Sequence, residues 1–245
     1  MKIVVTIEAR MASSRLPGKV MREAMGTPLL GHLITRLEAC DSIDEIVVAS
    51  TTRSDDDAIE EYCRSRGTAV FRGDNDDVMG RVLMAAASRS ADVIVETTGD
   101  NPLLDPEIVD LHVEAFLANA ADYVSNVVVP SYPDGMDVQV FSVGTLQRSE
   151  RVARDPLDRE HVTRHIRQHP EQFSRINVIA PRAVRRPDLC VTVDAPADFE
   201  LVRQVLEALY TPSRAFTCAE LIAFLDGNAE VARLNALVER KGMNS

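Results

Sequence analysis

Ile3-Val4-Val5-Thr6-Ile7-Glu8-Ala9-Arg10-Met11-Ala12-Ser13-Ser14-Arg15-Leu16-Pro17-Gly18-Lys19 is the stretch from which the rest of the chain is read. Its apolar run, residues 3–7, has the continuous hydrophobicity of a strand covered on both faces, as in a parallel sheet flanked by helices. Three cations and a Ser/Gly turn follow directly. That order delivers the chain to the rim of a sheet and offers backbone N–H groups and positive side chains to an anion there. Arg10 and Arg15 present forked guanidinium donors suited to phosphate oxygens, and Lys19 a compact point charge. The loop reads as a polyphosphate grip. It is not a Walker loop, because Gly-x-x-x-x-Gly-Lys-Ser/Thr is absent, and not a dinucleotide fingerprint, because Gly-x-Gly-x-x-Gly is missing.

Outward from this loop, strand-like runs alternate with amphipathic stretches. A helix is expected near residues 29–39, a strand at 45–50, a helix at 55–66 and a short edge strand at 68–71. A helix at 77–88, a strand at 92–97 and a helix at 106–119 continue the rhythm. The middle changes character: residues 123–129 and 136–142 are strand-like and flank the turn-rich connector 130–135, read as a hairpin or lid. Residues 146–169 read mainly as helix, 173–179 and 189–193 as strands, and 196–209 as a helix. Two further helices, 218–225 and 229–240, close the chain. The expected fold is α/β and Rossmann-like, with a mostly parallel sheet flanked by helices and a small β hairpin or lid insertion. Residues 1–210 are assigned to one catalytic domain, and 211–245 to a helical extension packed on it.

Composition limits the function classes. A chain of 245 residues with 45% hydrophobic content can bury a sizeable core, and its formal charge of -11 argues against general nucleic-acid binding, which requires a basic face. The four cysteines, Cys40, Cys63, Cys190 and Cys218, form no Cys-x-x-Cys pair and indicate neither a zinc site nor a disulfide framework. The N-terminus has no signal-peptide pattern and no apolar run reaches spanning length, so a cytoplasmic protein is expected.

The first loop resembles the N-terminal signature A-R-x-x-S-x-R-x-P-G-K of the sugar nucleotidyltransferases, matching at Ala9, Arg10, Ser13, Arg15, Pro17, Gly18 and Lys19. Within that group it resembles in particular the acylneuraminate and 3-deoxy-manno-octulosonate cytidylyltransferases. The resemblance implies the nucleotide-diphospho-sugar transferase fold, and CMP transfer from CTP to an anionic acceptor with release of pyrophosphate. Arg10, Arg15 and Lys19 would be the catalytic cations, with Ala9 and Ser13 in the nucleotide site.

Two carboxylates stand at expected strand ends. Asp100, in Gly99-Asp100-Asn101-Pro102, lies beyond the run 92–97, where open α/β sheets bind ligands. A carboxylate there suits Mg2+ bridging phosphate oxygens, or a turn or cap before the proline. The family's Gly-Asp-x-Pro segment favours the metal, while Asp105 before Pro106 suits a helix cap. Asp194, in Val193-Asp194-Ala195-Pro196-Ala197-Asp198-Phe199, resembles the family's V-D-T-P-E-D-F/L segment and is the second metal candidate, with a helix cap as its alternative. Asp198 suits the helix dipole.

Residues 71–81, with Arg72, Gly73 and Arg81, resemble the R-G-x-x-x-D-V-L-x-R stretch of the spore coat polysaccharide biosynthesis protein F-like branch. Base recognition by Arg72 and Gly73 is implied there. Arg81 either supports the nucleotide or forms an i,i+4 pair with Asp77. Asp137, Gln139, Glu160 and His161 fall in segments resembling acceptor-side elements of the same branch. Asp137 and Gln139 are expected to share one strand face. His161 and His165 lack the glutamate and third ligand of a zinc site. After Glu160-His161-Val162-Thr163 the branch commonly has proline, where this chain has Arg164.

The expected partners are CTP, Mg2+, a sugar acid destined for surface polysaccharide and a second copy of the chain as a homodimer. Nucleic acid and membrane are not expected. The rival readings are a nucleotidyltransferase with another base or acceptor, such as GTP with a sugar phosphate, a nucleotide-sugar glycosyltransferase using Asp74-x-Asp76, and a non-catalytic nucleotide-binding protein.

Overall fold

Residues 3–8 form the first strand, β1 (Ile3–Glu8), in a computed structural model that describes residues 1–240. After the basic loop come a two-stranded ribbon, β2 (Glu23–Ala24) and β3 (Thr27–Pro28), and helix α1 (Leu29–Leu37). Then follow β4 (Glu45–Thr51), α2 (Asp57–Arg66), β5 (Ala69–Gly73), α3 (Val78–Ser88), β6 (Val93–Thr98) and α4 (Pro106–Leu117). The second half contains β7 (Tyr123–Ser125), β8 (Gln139–Ser142), α5 (Val143–Val152), α6 (Pro156–Glu160), α7 (Arg164–Gln168) and β9 (Arg175–Asn177). It ends with α8 (Pro196–Leu209), α9 (Cys218–Gly227) and α10 (Ala229–Ala232).

The central sheet has the order β5-β4-β1-β6-β8-β7-β9. β1 pairs in parallel with both β4 and β6, and β5 adds in parallel outside β4. Only β8 runs against the others, antiparallel to β6 and β7, while β9 is parallel to β7. The chain leaves β1 for β4 and β5 on one side and returns as β6 on the other. The crevice beyond the carboxyl ends of β1 and β6 is therefore the topological switch point of this sheet.

Alternation along the strands builds a core on each face. Val5, Ile7 and Val95 face a cluster with Leu30, Leu33 and Ile34 of α1. Val4, Val47, Ile94 and Phe141 face Met79, Val82 and Leu146 on α3 and α5. On α1 the apolar Leu29, Leu30, Leu33, Ile34 and Leu37 recur at the helical period, and Gly31, His32 and Arg36 are buried as well, so the helix is covered nearly all round. Beyond residue 210, Leu221, Ile222 and Leu225 of α9 and Val231 of α10 join the same cluster as β1 and α8. Among the described residues no helix is long and apolar enough to cross a membrane.

Several expected elements are shorter or interrupted. The helix expected over 146–169 is three helices, because Asp155 caps a fresh start at Pro156 and the residue before a proline is pushed out of the helical region. The strand expected over 189–193 is a single bridge from Cys190 to Asp134. Val191 and Val193 are buried, yet their backbone N–H groups go to Asp134 and Asp100 carbonyls, outside any ladder. β7 ends at Ser125 and β9 covers only Arg175–Asn177. β8 begins at Gln139, so Asp137 precedes the strand it was expected to share.

The connector 126–138 is packed down, with Tyr132, Met136 and Val138 buried and Asn126 bonding both the Met136 carbonyl and the Val138 N–H. Of the helix expected over 229–240, only Ala229–Ala232 is regular; residues 241–245 of the expected extension lie outside the described residues.

Candidate active site

The basic loop is closed on itself at the switch point. Gly18 adopts φ +69°, a left-handed turn that favours glycine, and its N–H reaches the Met11 carbonyl at 2.9 Å. The Ser13 hydroxyl accepts the Leu16 N–H, and the buried Asp56 carboxylate accepts the Met11 N–H at 2.6 Å. Asp56 also accepts from Thr51 at the end of β4, so the loop is pinned to the neighbouring strand.

The register Glu8↔Thr98 places the segments after β1 and β6 side by side, with the Gly99 N–H 2.8 Å from the Glu8 carbonyl. A Cβ at Gly99 would lie 3.1 Å from that carbonyl and 3.3 Å from the Ala9 Cβ, so glycine permits this approach. The Asp100 carbonyl in turn accepts the Val193 N–H at 2.9 Å, which brings the Asp194 turn to the same rim.

Here four predicted residues meet. Lys19 Nζ lies 2.6 Å from Asp100 Oδ2 and 2.9 Å from Asp194 Oδ1. Arg15 Nη2 lies 2.8 Å from Asp194 Oδ2. Burial pulls the Lys19 ammonium down, but Asp100 and then Asp194 outweigh it, leaving it above its ordinary value and charged. Thr98 donates to Asp100 and is itself bonded by Asn101, which orients the carboxylate.

This cluster borders a cavity of about 1230 Å³ that also receives Ala9, Arg10 and Ser13. Glu160 and His161 also line it, together with Asn75, Val78 and Arg81 from the turn before α3 and its first turns. Burial holds His161 below its ordinary pKa.

Other predicted residues are placed elsewhere. Arg72 and Gly73 do not line this cavity. The Arg72 guanidinium is taken up by the Thr51 and Arg53 carbonyls, at 2.7 and 2.5 Å, and by Asp57 and Glu60, fastening β5 to the start of α2. Arg81 does not pair with Asp77. It is buried and donates to the Ala49 and Asp74 carbonyls, while Asp77 caps α3 and pairs with Arg159. Asp74 accepts the Asp76 and Asp77 N–H groups as a turn residue.

Asp137 and Gln139 are also off the cavity lining. Burial, and then Asp134 and Asp100, push Asp137 up to about 7. Gln139 donates to Glu96 and accepts from Tyr123 at 2.6 Å and Thr163 at 2.5 Å.

Two carboxyl groups were not anticipated. Glu8 lines the cavity from the end of β1, and Glu96 lies beneath it on the same sheet face, 2% exposed. Burial and the adjoining Glu8 push Glu96 well above the carboxylate range, and burial raises Glu8 as well. The available signal was a glutamate directly after the apolar run Val93-Ile94-Val95, within the expected strand 92–97. Asp198 is wholly buried and accepts the Asp194 and Ala195 N–H groups, consistent with its expected structural role at the start of α8.

Two carboxylate oxygens converging on one ammonium are also a donor set that suits Mg2+, which takes one or two carboxylates and completes its shell with phosphate oxygens and water. Among the described residues no group of three or more His, Cys, Asp or Glu forms a cage of protein ligands.

A cationic loop and paired carboxylates at the switch point of a Rossmann-like sheet define a nucleotidyltransferase. Comparison with known proteins narrows this class. The family model described as "Cytidylyltransferase" matches residues 4–227. The spore coat polysaccharide biosynthesis protein SpsF of Bacillus subtilis is 32% identical over 94% of this chain and 96% of its own. A 3-deoxy-manno-octulosonate cytidylyltransferase of Geobacter metallireducens is 34% identical over 49% of this chain and 47% of its own. The solved structure of a cytidylyltransferase from Leptospira borgpetersenii serovar Hardjo-bovis is 30% identical, with a TM-score of 0.90 over 99% of both chains. The chain belongs to the cytidylyltransferase family and is a CTP-dependent nucleotidyltransferase.

Proposed function

We propose that this enzyme transfers CMP from CTP to the hydroxyl of a sugar acid used in surface polysaccharide synthesis. The observation that carries the reading is the convergence of Lys19, Asp100 and Asp194 at the rim of the cavity. The relatives named for spore coat polysaccharide biosynthesis and for 3-deoxy-manno-octulosonate support the acceptor class.

In this mechanism the acceptor oxygen forms a bond to the α-phosphorus as the bond to the β-phosphate oxygen breaks, and pyrophosphate leaves in line with the attack. The hydroxyl proton passes to solvent. Arg10, Arg15 and Lys19, with the backbone and hydroxyl groups of Ala9 and Ser13, hold the triphosphate and offset charge developing on the leaving group. Asp100 and Asp194 would hold Mg2+, which when bound neutralises phosphate charge and polarises the α-phosphate. Glu160 and His161 face the acceptor. The base lies toward Asn75, Val78 and Arg81, which line the cavity where Arg72 and Gly73 do not.

Residues 1–210 act as the catalytic unit and the later helices complete its core. A homodimer is the proposed assembly, supported by exposed Val128, Val129 and Ile179 beside the edge strand β9.

The test is Mg2+-dependent pyrophosphate release with CTP, GTP, UTP and ATP in turn, against a panel of 2-keto-3-deoxy sugar acids and sugar phosphates. Release with CTP and a sugar acid is expected. Release only with sugar phosphates would overturn the acceptor assignment.

A further inference from the structure

The last described residues, beyond the stretch matched by the family model, touch the site at two points. Asn235 Nδ2 donates to Asp198 Oδ1 at 2.8 Å and to the Cys190 carbonyl at 3.0 Å, and Arg240 Nη2 donates to the same Asp198 oxygen at 2.7 Å. The other Asp198 oxygen accepts the Asp194 N–H at 3.0 Å and the Ala195 N–H at 2.7 Å. The Glu239 carbonyl accepts from Arg15 Nη1 at 3.2 Å, and the other terminal nitrogen of Arg15 pairs with Asp194.

We propose that residues 235–240 are a strap that positions the triphosphate grip, with Asn235 and Arg240 as positioning residues acting through Asp198 and the Glu239 carbonyl holding Arg15. The proposal rests on the reading of Arg15 and Asp194 as nucleotide-site groups.

The physical case is one of charge and geometry. Asp198 is a fully buried carboxylate, and such a group is held in one orientation only when its oxygens are satisfied by directed donors. Its two oxygens divide the work: one takes the donors of the strap, the other the backbone of the turn bearing Asp194. Loss of Arg240 removes the charged donor and loosens that turn. Arg15 is tied at both ends of its guanidinium, once to Asp194 and once to the strap, so it is presented to a ligand already oriented. The strap holds both members of the Arg15–Asp194 pair without touching the reacting atoms.

The test is equilibrium binding of CTP with Mg2+ in the absence of acceptor, on the full chain and on Arg240→Ala, Asn235→Ala, Arg15→Ala and the Arg15→Ala/Arg240→Ala double variant. Arg240→Ala should weaken CTP about tenfold, equivalent to the loss of one charge-assisted hydrogen bond, and Arg240→Lys should recover most of it. The double variant should be weakened by clearly less than the product of the two single effects, because both act on one linked group.

Hydrogen exchange on the unsubstituted chain provides a measurement that requires no variant to fold: CTP with Mg2+ should slow exchange across residues 233–240 together with the 9–19 loop. Unchanged CTP affinity in a folded Arg240→Ala chain, strictly multiplicative effects, or protection of the loop without the strap would each overturn the strap. Absence of CTP binding by the unsubstituted chain would overturn the nucleotide-site reading instead.

Discussion

The two walls of the cavity were assembled in different ways. On the side proposed to hold phosphate, Ala9, Arg10, Ser13, Arg15 and Lys19 come from one eleven-residue loop, and every one of them lines the cavity. On the side proposed for the acceptor, Asp137 and Gln139 come from one segment and Glu160 and His161 from the end of α6, and only Glu160 and His161 reach the cavity. A tight loop closed by its own hydrogen bonds carries its geometry with it. Side chains on separate elements meet only where packing brings those elements together. Asp137 falls just before β8, and Gln139 turns into a buried chain with Glu96, Tyr123 and Thr163.

The largest expected effect tests the phosphate wall. Lys19→Ala should lower kcat about 10²- to 10³-fold, the range for losing one preorganised charge-stabilising donor, with the thermal midpoint changed far less. Unchanged turnover in the folded variant would remove Lys19 from the triphosphate site. Gly99→Ala comes next. Its Cβ presses on the Glu8 carbonyl and Ala9, so it should cost about 1–3 kcal/mol of stability by overpacking and displace the Asp100 loop from the Lys19 loop. Denaturant unfolding and CTP affinity measured together check this, and wild-type values in both would show that the two strand ends tolerate separation.

Beneath the cavity, Glu96→Gln isolates the buried pair. An acid whose pKa is higher folded than unfolded retains a proton that the unfolded chain has already released. The favourable contribution is complete below the ordinary carboxylate value and is lost as pH rises toward the folded one. Glutamine keeps the hydrogen bonds without the charge. The variant should be more stable than the parent chain at pH 8, with the gap closing toward pH 5; unfolding curves at both pH values, in chelator and without nucleotide, measure it. A gap independent of pH would mean that Glu96 carries no titrating proton.

The smallest functional effect belongs to Arg72→Ala. It should cost about 1 kcal/mol of stability through the loss of its bonds to β4 and α2, while CTP affinity stays within about twofold. A large loss of CTP affinity would restore Arg72 to the base site.

Much of the fold was legible because each signal was local. The apolar runs became β1, β4 and β6, and Asp105 capped α4 ahead of Pro106. Misread elements were those where burial did not imply a ladder, as at Val191 and Val193, or where a proline divided a polar helical pattern, as at Pro156. Arg72 lies off the cavity lining for a related reason. Spacing places a guanidinium near a strand end, but the carbonyls of Thr51 and Arg53 and the carboxylates of Asp57 and Glu60 decide where it points.

By itself, the sequence determined the parallel α/β core, the cationic loop and the two carboxylate turns, since hydrophobic period, turn chemistry and motif spacing are written in neighbouring residues. Only the tertiary structure decided that Lys19 bridges Asp100 and Asp194, that Glu8 and Glu96 share a buried face, and that residues 235–240 reach back to Asp198 and Arg15. Those contacts join residues far apart in the chain, and they exist because strand order and backbone stitching at the switch point bring distant segments within hydrogen-bonding distance.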